Sequence, residues 1–399
     1  MVAGKIVSPA AGEAERRLVV VQVLPELESG GVERYVLDLA RALVRLGHES
    51  LVVSGGGRLV AQLEAAGSRH FTMPLGKKSP TTMAWILPLR RLLERNRVDI
   101  LHLHSRMPAW IAYLAWQSLP AARRPRLVTS FHGFYSVNRY SAIMTKGEKV
   151  IAISRAIQEH VSAQYRVPAS RLELIHGGVD SEIFAPAAVA PERPAALRAQ
   201  WGLTGTEPVI MLPGRITRLK GHQIFCQALA TIPELAWQAV CVGDLGENPD
   251  YAAELSRLTR ELGISQRVHM VGHCADMPAA LSLADLVVSA TSSQAEAFGL
   301  VAVEAAAMNK AVIASAHGGS LETVVPGKTG WLVEPASVSG LATALREALG
   351  DPARLREFGI NGGEWVRANF TVAIMTAKIM ALYRQLLLPA NPNRDRRQN

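Results

Sequence analysis

The chain has 399 residues, which is enough for two domains of ordinary size that each bury their own core. Hydrophobic residues make up 49% of the chain and charged residues 19%, a balance that excludes a disordered protein and predicts a compact soluble one. The formal net charge of +9 calls for an anionic partner, such as nucleic acid, a membrane surface or a phosphorylated substrate.

Neither a membrane span nor a secretory signal is expected from the sequence. The longest uncharged run, residues 107–122, contains two prolines and is too short to cross a bilayer. The first residues lack the apolar core of a signal peptide. The spacing of Cys226, Cys241 and Cys274 fits neither a metal site nor a disulfide, so we expect reduced core residues. These features predict a cytoplasmic protein.

The first regular element follows a predicted loose leader at residues 1–16. Residues 17–24 are a continuous apolar run, as in a strand buried on both faces. Gly30 and Gly31 come next, and residues 36–46 then show helical periodicity. Because glycines at the start of a helix let the backbone approach a ligand, this strand, turn and helix predict a binding loop.

Further apolar runs in the first half alternate with helical stretches. These predicted strands are residues 49–54, 98–104, 126–132, 148–154 and 172–176. The alternation predicts a parallel sheet, and substrates of such sheets bind beyond the carboxyl ends of the strands. His132 ends one strand and precedes a glycine, so its backbone and ring can both face a cleft. We therefore select His132 as a candidate catalytic residue.

A second group of polar residues follows the strand at 98–104. His102 and His104 are two apart on a strand and share one face, which could indicate a metal site. No third ligand accompanies them in the sequence, so we expect no metal. His104, Arg106 and Trp110 are instead candidates for contact with an anionic or sugar acceptor.

Residues 77–97 combine basic side chains with Trp85 and an apolar Ile-Leu-Pro-Leu run. The basic residues are Lys77, Lys78, Arg90, Arg91, Arg95 and Arg97. This composition suits an interfacial contact with an anionic membrane. It suits an ordinary surface helix with a solvated basic face equally well, and both interpretations stay open. Nucleic acid fits less well, because aromatic residues are few and no nucleic-acid motif is present.

The composition changes at residues 184–196, which are rich in proline and alanine, and we place the domain boundary there. A predicted strand at 208–212 then leads into a loop that contains Arg215 and Lys220. On a strand-to-helix loop these two cations can converge on one diphosphate. They would stabilise the negative charge that develops on a leaving nucleoside diphosphate. Gly221 lets the next helix begin close by.

The most informative stretch lies in the second half of the chain. A buried helix is predicted to begin at Phe298, Gly299 and Leu300, so that its free amides form a phosphate-binding site. Glu296 and Glu304 flank this junction, and an ionised carboxylate can accept two hydrogen bonds from a vicinal diol. A phosphate-binding site beside carboxylates that can bind a diol predicts a nucleotide-sugar site.

The run from Glu296 to Ala305 resembles the donor-site signature of the retaining glycosyltransferases of family 4. The run from Gly214 to Gly221 resembles the second signature of that family, and the overall resemblance covers residues 17–388. It implies the GT-B fold, an α/β architecture in which two Rossmann-like doubly wound domains face a central cleft.

The expected organisation combines this resemblance with the change in composition. In chain order it is a loose leader (1–16), an N-terminal acceptor domain (17–184), a linker (185–200), a C-terminal nucleotide-sugar donor domain (201–371), a helix that crosses back to the N-terminal domain (372–388) and a disordered tail (389–399). The crossing of the last helix is implied by the resemblance alone.

The resemblance also implies roles for particular residues. His132 would contact the transferred sugar, and His273 would lie where the nucleobase is bound, largely through backbone. The loop at Gly30 and Gly31 would close over the donor phosphates. Retention of the anomeric configuration is likewise implied by the family.

Our hypothesis for the donor site follows from these assignments. Arg215, Lys220 and the amides of Phe298, Gly299 and Leu300 would hold the diphosphate. Glu304 would bind the ribose, and Glu296 would bind hydroxyls of the donor sugar. Catalysis would then rest on His132 and Glu296 together with the two cations. The chain has no Asp-x-Asp motif that would bridge a metal to the diphosphate, so we expect neither a metal nor a cofactor.

The runs at 104–110, 130–135 and 149–154 look like the branch of the family that builds lipopolysaccharide core and other bacterial envelope glycans. We therefore expect a retaining, metal-independent hexosyltransferase that uses a UDP- or GDP-linked sugar. Its acceptor would be lipopolysaccharide core or a lipid-linked sugar. The basic surface would allow peripheral contact with the anionic inner face of the cytoplasmic membrane.

Two other functions remain open. A nucleotide-sugar 2-epimerase of GT-B fold would use carboxylates for proton transfer and would act without an acceptor. A non-catalytic protein could bind a nucleotide sugar or an envelope partner. The presence of Arg215, Lys220, Glu296 and Glu304 together favours an enzyme.

Overall fold

The structure is a computed structural model, and it describes residues 16–28 and 30–388. The strands are β1 (Val19–Val23), β2 (Glu49–Ser54), β3 (Arg69–Thr72), β4 (Ile100–Leu103), β5 (Arg126–Phe131), β6 (Lys149–Ala152), β7 (Leu172–Leu174), β8 (Val209–Pro213), β9 (Gln238–Val242), β10 (Val268–Gly272), β11 (Leu286–Ser289), β12 (Ala311–Ser315) and β13 (Gly330–Val333). The helices are α1 (Gly31–Arg45), α2 (Val60–Ala65), α3 (Ile86–Arg95), α4 (Arg106–Gln117), α5 (Arg155–Tyr165), α6 (Glu192–Gln200), α7 (His222–Ala230), α8 (Pro249–Glu261), α9 (Met277–Leu283), α10 (Leu300–Ala307), α11 (Ser320–Thr323), α12 (Val338–Gly350), α13 (Pro352–Asn369) and α14 (Val372–Leu387). The predicted leader up to residue 15 and the predicted tail lie outside the described residues.

The first seven strands form a parallel sheet in the order β3-β2-β1-β4-β5-β6-β7. Strand β1 is almost entirely buried, because its valines supply apolar side chains to both faces of the sheet. The strand order reverses between β1 and β4. The carboxyl ends of these two strands therefore open the crevice in which such sheets bind ligands.

The remaining six strands form a second parallel sheet in the order β10-β9-β8-β11-β12-β13, with its reversal between β8 and β11. Strands β8, β9 and β12 are buried along their whole length. The two doubly wound parallel sheets confirm the predicted α/β fold class.

Helix α1 begins five residues earlier than its apolar periodicity predicts. Gly30 precedes it in an extended conformation and Gly31 is its first residue. The additional first turn carries Glu33 and Arg34, whose polar side chains face the cleft. Because these residues are polar, the apolar periodicity of the sequence does not extend to the true start of the helix. The helix thus starts directly at the glycines, two of the predicted donor-loop residues.

The segment predicted as a linker, residues 185–200, contains helix α6. This helix packs on α9 of the second domain. Arg193 donates hydrogen bonds of 2.8 and 2.6 Å to the two carboxylate oxygens of Asp276 at the start of α9. The segment is therefore structured for half its length and is attached to the C-terminal domain.

Helix α14 returns from the C-terminal domain to the N-terminal one and packs against α1. The hydroxyl of Tyr383 lies 2.7 Å from Nδ1 of His102, and both side chains are fully buried. A buried hydrogen bond between a residue of the last helix and one of strand β4 fixes the position of that helix on the first domain.

A second connection between the domains runs through the backbone. The amide of Val179 donates to the carbonyl of Phe370, and the amide of Val372 donates to the carbonyl of Val179. A Cβ at Gly178 would lie 2.5 Å from the carbonyl carbon of Thr371, so a glycine is needed for this close approach. The chain thus crosses between the domains at two packed sites.

Residues 77–97, the predicted basic segment, form a 3₁₀ turn at Pro80–Trp85 followed by α3. Met83 and Leu87 expose about half of their surface there, beside the exposed Lys77 and Lys78. In the described part of the chain, no helix has the length and apolar character needed to cross a membrane.

Candidate active site

Helix α10 begins at Leu300, as predicted, and Gly299 precedes it with a φ of 90°. This left-handed conformation favours glycine, and a Cβ here would lie 3.1 Å from Oγ1 of Thr323. No described side chain caps the first amides of the helix, so they remain suited to an anion. Phe298 buries its ring against Phe370 at the domain interface and can offer only its backbone to a ligand.

Lys220 and Glu296 form an ion pair beside this helix. The Nζ atom of Lys220 lies 2.7 Å from Oε2 of Glu296, which also accepts a hydrogen bond of 3.1 Å from Oγ1 of Thr291. Burial alone would raise the pKa of Glu296, but the charge and hydrogen bond of Lys220 hold that pKa below its ordinary value. Glu296 is therefore a carboxylate at neutral pH.

Gly221 allows Lys220 to reach this position. It has a φ of 74°, and a Cβ on it would lie only 1.8 Å from the carbonyl oxygen of Ala290. The amide of Ser292 donates a hydrogen bond of 2.9 Å to the carbonyl of Leu219. The cationic loop is thus held against the end of strand β11, close to the carboxylate.

Arg215 is exposed on the same loop and lies near helix α1 of the other domain. Burial raises the pKa of Glu33 in the first turn of α1, and the charge of Arg215 partly opposes this shift. The start of α1, with Gly30 and Gly31, therefore faces the cation that was predicted to bind the diphosphate.

Glu304 lines a small cavity between the two domains. Arg34 and Asp38 of α1 line it from one side, and Leu300 and Glu304 of α10 line it from the other. Burial raises the pKa of Glu304 to about 7, with Arg34 opposing the shift and Asp38 adding to it. The pKa of Asp38 is also raised to about 7, by burial above all.

His132 follows strand β5 and is half-buried. Its Nε2 atom lies 3.0 Å from Nδ1 of His104, and the ring of Tyr35 meets it edge-on at 4.8 Å between centroids. Burial lowers the pKa of His132 to about 3, so the ring is neutral at physiological pH. Helix α1 thus supplies Tyr35 to the candidate catalytic histidine and Arg34 to the cavity of Glu304.

His104 is fully buried, so its side chain does not reach the surface of the cleft. Its ring packs against that of His102 in a tilted arrangement, with centroids 4.1 Å apart and an interplanar angle of 39°. His102 in turn bonds Ser130 through Nε2 and Tyr383 through Nδ1, at 2.7 Å each. Direct contact of His104 with an acceptor, which the sequence led us to expect, does not fit this burial.

Arg106 and Trp110 lie half-buried on helix α4 beside the loop that follows His132. The guanidinium group of Arg106 stacks on Tyr135 and Tyr140, at 4.6 and 5.6 Å from the ring centroids. The indole nitrogen of Trp110 donates a hydrogen bond of 2.9 Å to the carbonyl of Tyr140. The two predicted acceptor residues are therefore held in one aromatic cluster.

His273 follows Gly272 at the carboxyl end of β10, the edge strand of the second sheet. It is exposed, and Gly272 takes a left-handed φ of 76°. The position is open to a ligand, and the contact of His273 with a nucleobase stays a prediction.

The sequence analysis did not predict a role for three further residues near the site. Tyr35 packs on His132, and His317 lies close enough to Glu296 for their charges to interact. The Nε2 atom of His317 is buried without a hydrogen-bond partner among the described residues. Glu322 bonds Nε2 of His176 across the domain interface at 2.7 Å. These roles follow from tertiary packing, within one domain for Tyr35 and His317 and between the domains for Glu322. A histidine directly before Gly318 could nevertheless have marked position 317.

Within residues 16–28 and 30–388, no three His, Cys, Asp or Glu side chains are grouped so that they could hold a metal ion. All three cysteines are free, and Cys226 and Cys241 are buried in the core.

Two doubly wound domains, with the Lys220–Glu296 ion pair beside the start of helix α10, have the architecture of the GT-B glycosyltransferases. Comparison with known families agrees with this class. The profile described as "Glycosyltransferase Family 4" matches residues 29–183, and that described as "Glycosyl transferases group 1" matches residues 195–365. Between them the two matches span most of the chain, which therefore belongs to the glycosyltransferases.

Individual relatives agree with this assignment. The GDP-mannose-dependent alpha-(1-6)-phosphatidylinositol monomannoside mannosyltransferase of Mycolicibacterium smegmatis is 28% identical, over 88% of this chain and 94% of its own. D-inositol 3-phosphate glycosyltransferase 1 of Catenulispora acidiphila is 27% identical, over 94% and 97%. A glycosyltransferase structure from Rickettsia africae has a TM-score of 0.85 at 29% identity and covers 94% of this chain and 100% of its own.

Proposed function

We propose that the protein transfers a hexose from a nucleoside-diphosphate sugar to a phosphorylated or lipid-linked glycan acceptor of the cell envelope. The transfer would occur with retention and without a metal ion. The observation that carries the proposal is the meeting of both domains at helix α1, whose first turns face Arg215, line the cavity of Glu304 and pack on His132.

The donor side rests on charge and geometry. Arg215, Lys220 and the start of α10 offer positive potential to a diphosphate, and they would stabilise it as it leaves. Glu304 would accept hydrogen bonds from the ribose hydroxyls and Glu296 from hydroxyls of the donor sugar. Their separate places, in the interdomain cavity and beside Lys220, support these separate roles.

The relatives support the choice of donor and acceptor classes. One is named for GDP-mannose and a phosphatidylinositol mannoside, and the other for D-inositol 3-phosphate. Both named acceptors are phosphorylated, which suits a protein of net charge +9. We therefore put a GDP- or UDP-linked hexose first as donor. Lipopolysaccharide core, the acceptor expected from the sequence, becomes one candidate within the wider class of anionic envelope glycans.

The acceptor side would be formed by helix α4 and the loop after His132. Arg106 offers a cation, and Trp110 with Tyr135 and Tyr140 offers the flat apolar surfaces on which sugars pack. Lys78 of the basic segment lies 5.2 Å from the ring centroid of Tyr140. A peripheral membrane contact through that segment would thus hold a lipid-linked acceptor next to the cleft.

In the proposed reaction the two domains enclose the donor and exclude water, which limits its hydrolysis. The acceptor hydroxyl attacks from the side of the leaving group, and an oxygen of the departing diphosphate takes its proton. The bond from the anomeric carbon to the diphosphate breaks as the new glycosidic bond forms on the same face. Arg215 and Lys220 neutralise the charge of the product diphosphate.

The first experiment is thermal unfolding of the full chain with UDP, GDP, ADP or CMP, each with and without EDTA. A bound nucleotide raises the melting temperature by mass action. We expect one nucleoside diphosphate to stabilise the wild type regardless of EDTA and to stabilise Glu304→Ala less. Glu261→Ala, a change at an exposed residue of α8, serves as the control.

The nucleotide found in this way is then supplied as its mannose or glucose derivative, together with D-inositol 3-phosphate or phosphatidylinositol monomannoside. Proton NMR of the product reads its anomeric configuration, which should equal that of the donor. Conversion of the donor without any acceptor would favour an epimerase. The absence of any thermal shift would contradict the proposed donor site.

A further inference from the structure

His104 is buried and yet is in direct contact with the candidate catalytic residue, His132. Its Nδ1 atom lies 3.0 Å from Nε2 of His132, and its own Nε2 atom is buried without a hydrogen-bond partner among the described residues. The other nitrogen of His132, Nδ1, forms no hydrogen bond with a described residue and is not among the buried unpaired atoms, so it is accessible at the carboxyl end of strand β5.

The hydrogen bond between the two rings has a definite direction. A neutral imidazole carries one N–H and one lone pair, so one ring donates and the other accepts. If His132 donated, the proton of His104 would sit on Nε2 as a buried N–H without an acceptor. If His104 donates, only a lone pair is left unpaired at Nε2. Buried donors without an acceptor are the rarer arrangement in proteins.

We propose that His104 is a positioning residue that donates its Nδ1–H to Nε2 of His132 and thereby holds His132 in the tautomer with its proton on Nδ1. The inference rests on the proposed function for its catalytic meaning. In this tautomer His132 presents an N–H to the cleft and has no free lone pair there. His132 therefore acts on the sugar as a hydrogen-bond donor and does not serve as a general base.

The side chains packed against His104 are consistent with this positioning role. Its ring packs against that of His102, which is hydrogen-bonded to Ser130 of the neighbouring strand and to Tyr383 of helix α14. Both partners of His102 are hydroxyl groups, which can donate or accept, so His102 is satisfied in either tautomer. The proton placement at His104 is consequently set by its bond to His132 and by its unpaired Nε2 atom, and the contact with His102 helps to fix the direction in which Nδ1 points.

The direct test is nitrogen NMR of the full chain labelled with ¹⁵N-histidine, without any substrate. The chemical shifts of the two ring nitrogens report which of them carries the proton. Spectra of His132→Asn and His104→Asn assign the signals. We expect His132 to carry its proton on Nδ1 and His104 to carry its proton on Nδ1 as well. A proton on Nε2 of His132 would overturn the inference.

Variants of His104 test the consequence for transfer. In His104→Asn the side-chain amide can still donate from the position of Nδ1, so we expect kcat to stay within about tenfold of wild type. In His104→Asp the carboxylate can only accept, which forces the proton of His132 to Nε2. We expect kcat to fall by about 10²-fold or more while KM changes little.

Thermal unfolding shows whether each variant is folded under the assay conditions, and His104→Asp should melt at a lower temperature because it buries a carboxylate. A fall in kcat at nearly constant KM in the folded variant separates positioning from a merely structural role. Equal loss of activity in His104→Asn and His104→Asp would contradict the inference. The NMR measurement needs no transfer reaction, so a wild type that transfers no sugar would count against the proposed function while the tautomer could still be decided.

Discussion

The ammonium group of Lys220 lies 2.7 Å from Oε2 of Glu296, so a residue expected to bind the diphosphate neutralises one expected to bind the sugar. Loss of the cation should therefore damage two functions at once. In Lys220→Ala we expect kcat/KM to fall by about 10²-fold or more, because a charged contact made to a developing anion is worth several kcal/mol in the transition state. Steady-state kinetics measure this.

Arg218→Ala is the matched control, since Arg218 belongs to the same turn but pairs with Glu254 on the exposed side. Its kcat/KM should stay within about threefold of wild type, as is usual for exposed ion pairs. A fall in Arg218→Ala as large as that in Lys220→Ala would mean that general surface charge matters and the specific pair does not.

The raised pKa of Glu304 predicts that nucleotide binding releases a proton. The carboxyl group has a pKa of about 7 in the free protein, because burial disfavours its charge. Hydrogen bonds from a ribose diol favour the charged form, so binding should lower that pKa. Affinity for the nucleoside diphosphate should consequently rise between about pH 6 and pH 8. The stability that the protonated carboxyl contributes to the free protein is fully present below its ordinary pKa of 4.5, and it is lost as the pH rises from there through about 7.

Calorimetric titration near pH 7, in buffers that differ in ionisation enthalpy, counts the released protons. Glu304→Gln should bind without release. Asp38 faces Glu304 and has a similarly raised pKa, and Asp180 lines the same cavity, so Asp38→Asn is the necessary comparison. If proton release persists in Glu304→Gln and disappears in Asp38→Asn, the proton comes from Asp38 and the prediction for Glu304 is wrong.

The backbone at Gly221 gives a prediction that does not depend on charge. A Cβ there would lie 1.8 Å from the carbonyl oxygen of Ala290, so Gly221→Ala must push the cationic loop away from strand β11. We expect weaker nucleotide binding and a loss of stability beyond the cost of about 1 kcal/mol for a left-handed alanine.

Gly202→Ala separates the two effects, because Gly202 has a similar φ of 66° and no atom within 4 Å of its Cβ position. Denaturant unfolding and nucleotide titration of both variants provide the comparison. Equal losses of stability, with nucleotide binding unchanged in both, would show that the close contact at Ala290 has no influence on the donor site.

The hydrogen bond between Tyr383 and His102 predicts a stability difference. In Tyr383→Phe the buried Nδ1 atom of His102 loses its partner, which should cost about 1–3 kcal/mol of unfolding free energy. Tyr113→Phe removes a hydroxyl that bonds the exposed Gln117, and it should change the unfolding free energy by less than about 0.5 kcal/mol. Denaturant unfolding measures both, and equal values would remove the proposed anchoring of helix α14.

The sequence predicts most of the strands, because a strand buried on both faces must be a continuous apolar run. Strand β2 lies at its predicted bounds, and β5 ends one residue before the predicted end. Strand β3 was missed, since Arg-His-Phe-Thr at the edge of the sheet is polar and partly exposed. The start of α10 was predictable because a Phe-Gly pair before an apolar helix leaves little choice of boundary.

The site was less predictable wherever it depends on contacts between the domains. The sequence shows His102 and His104 on one face of a strand, but it cannot show that the rings pack against each other and that His104 is fully buried. Glu322 acquires its partner only when the two domains meet, and Tyr35 meets His132 only through the packing of helix α1 in the first domain. Chain order and spacing carry no information about that geometry.

Glu322 is the residue that most directly couples the domains. Its carboxylate accepts 2.7 Å hydrogen bonds from the amide of Arg155, at the start of helix α5, and from Nε2 of His176. A carboxylate at a helix start is also favoured by the helix dipole. In Glu322→Ala we expect the melting temperature to fall by about 4 °C or more, since hydrogen bonds to charged groups contribute about 1.5–3 kcal/mol each.

The same change should weaken the packing of the two domains against each other. Small-angle scattering of Glu322→Ala should therefore give a larger radius of gyration than wild type, and a nucleoside diphosphate should restore part of the difference. Glu182→Ala is the control, because its ion pair with Arg45 is largely exposed and worth little. An unchanged radius with a lowered melting temperature would mean that Glu322 stabilises helix α5 without holding the domains together.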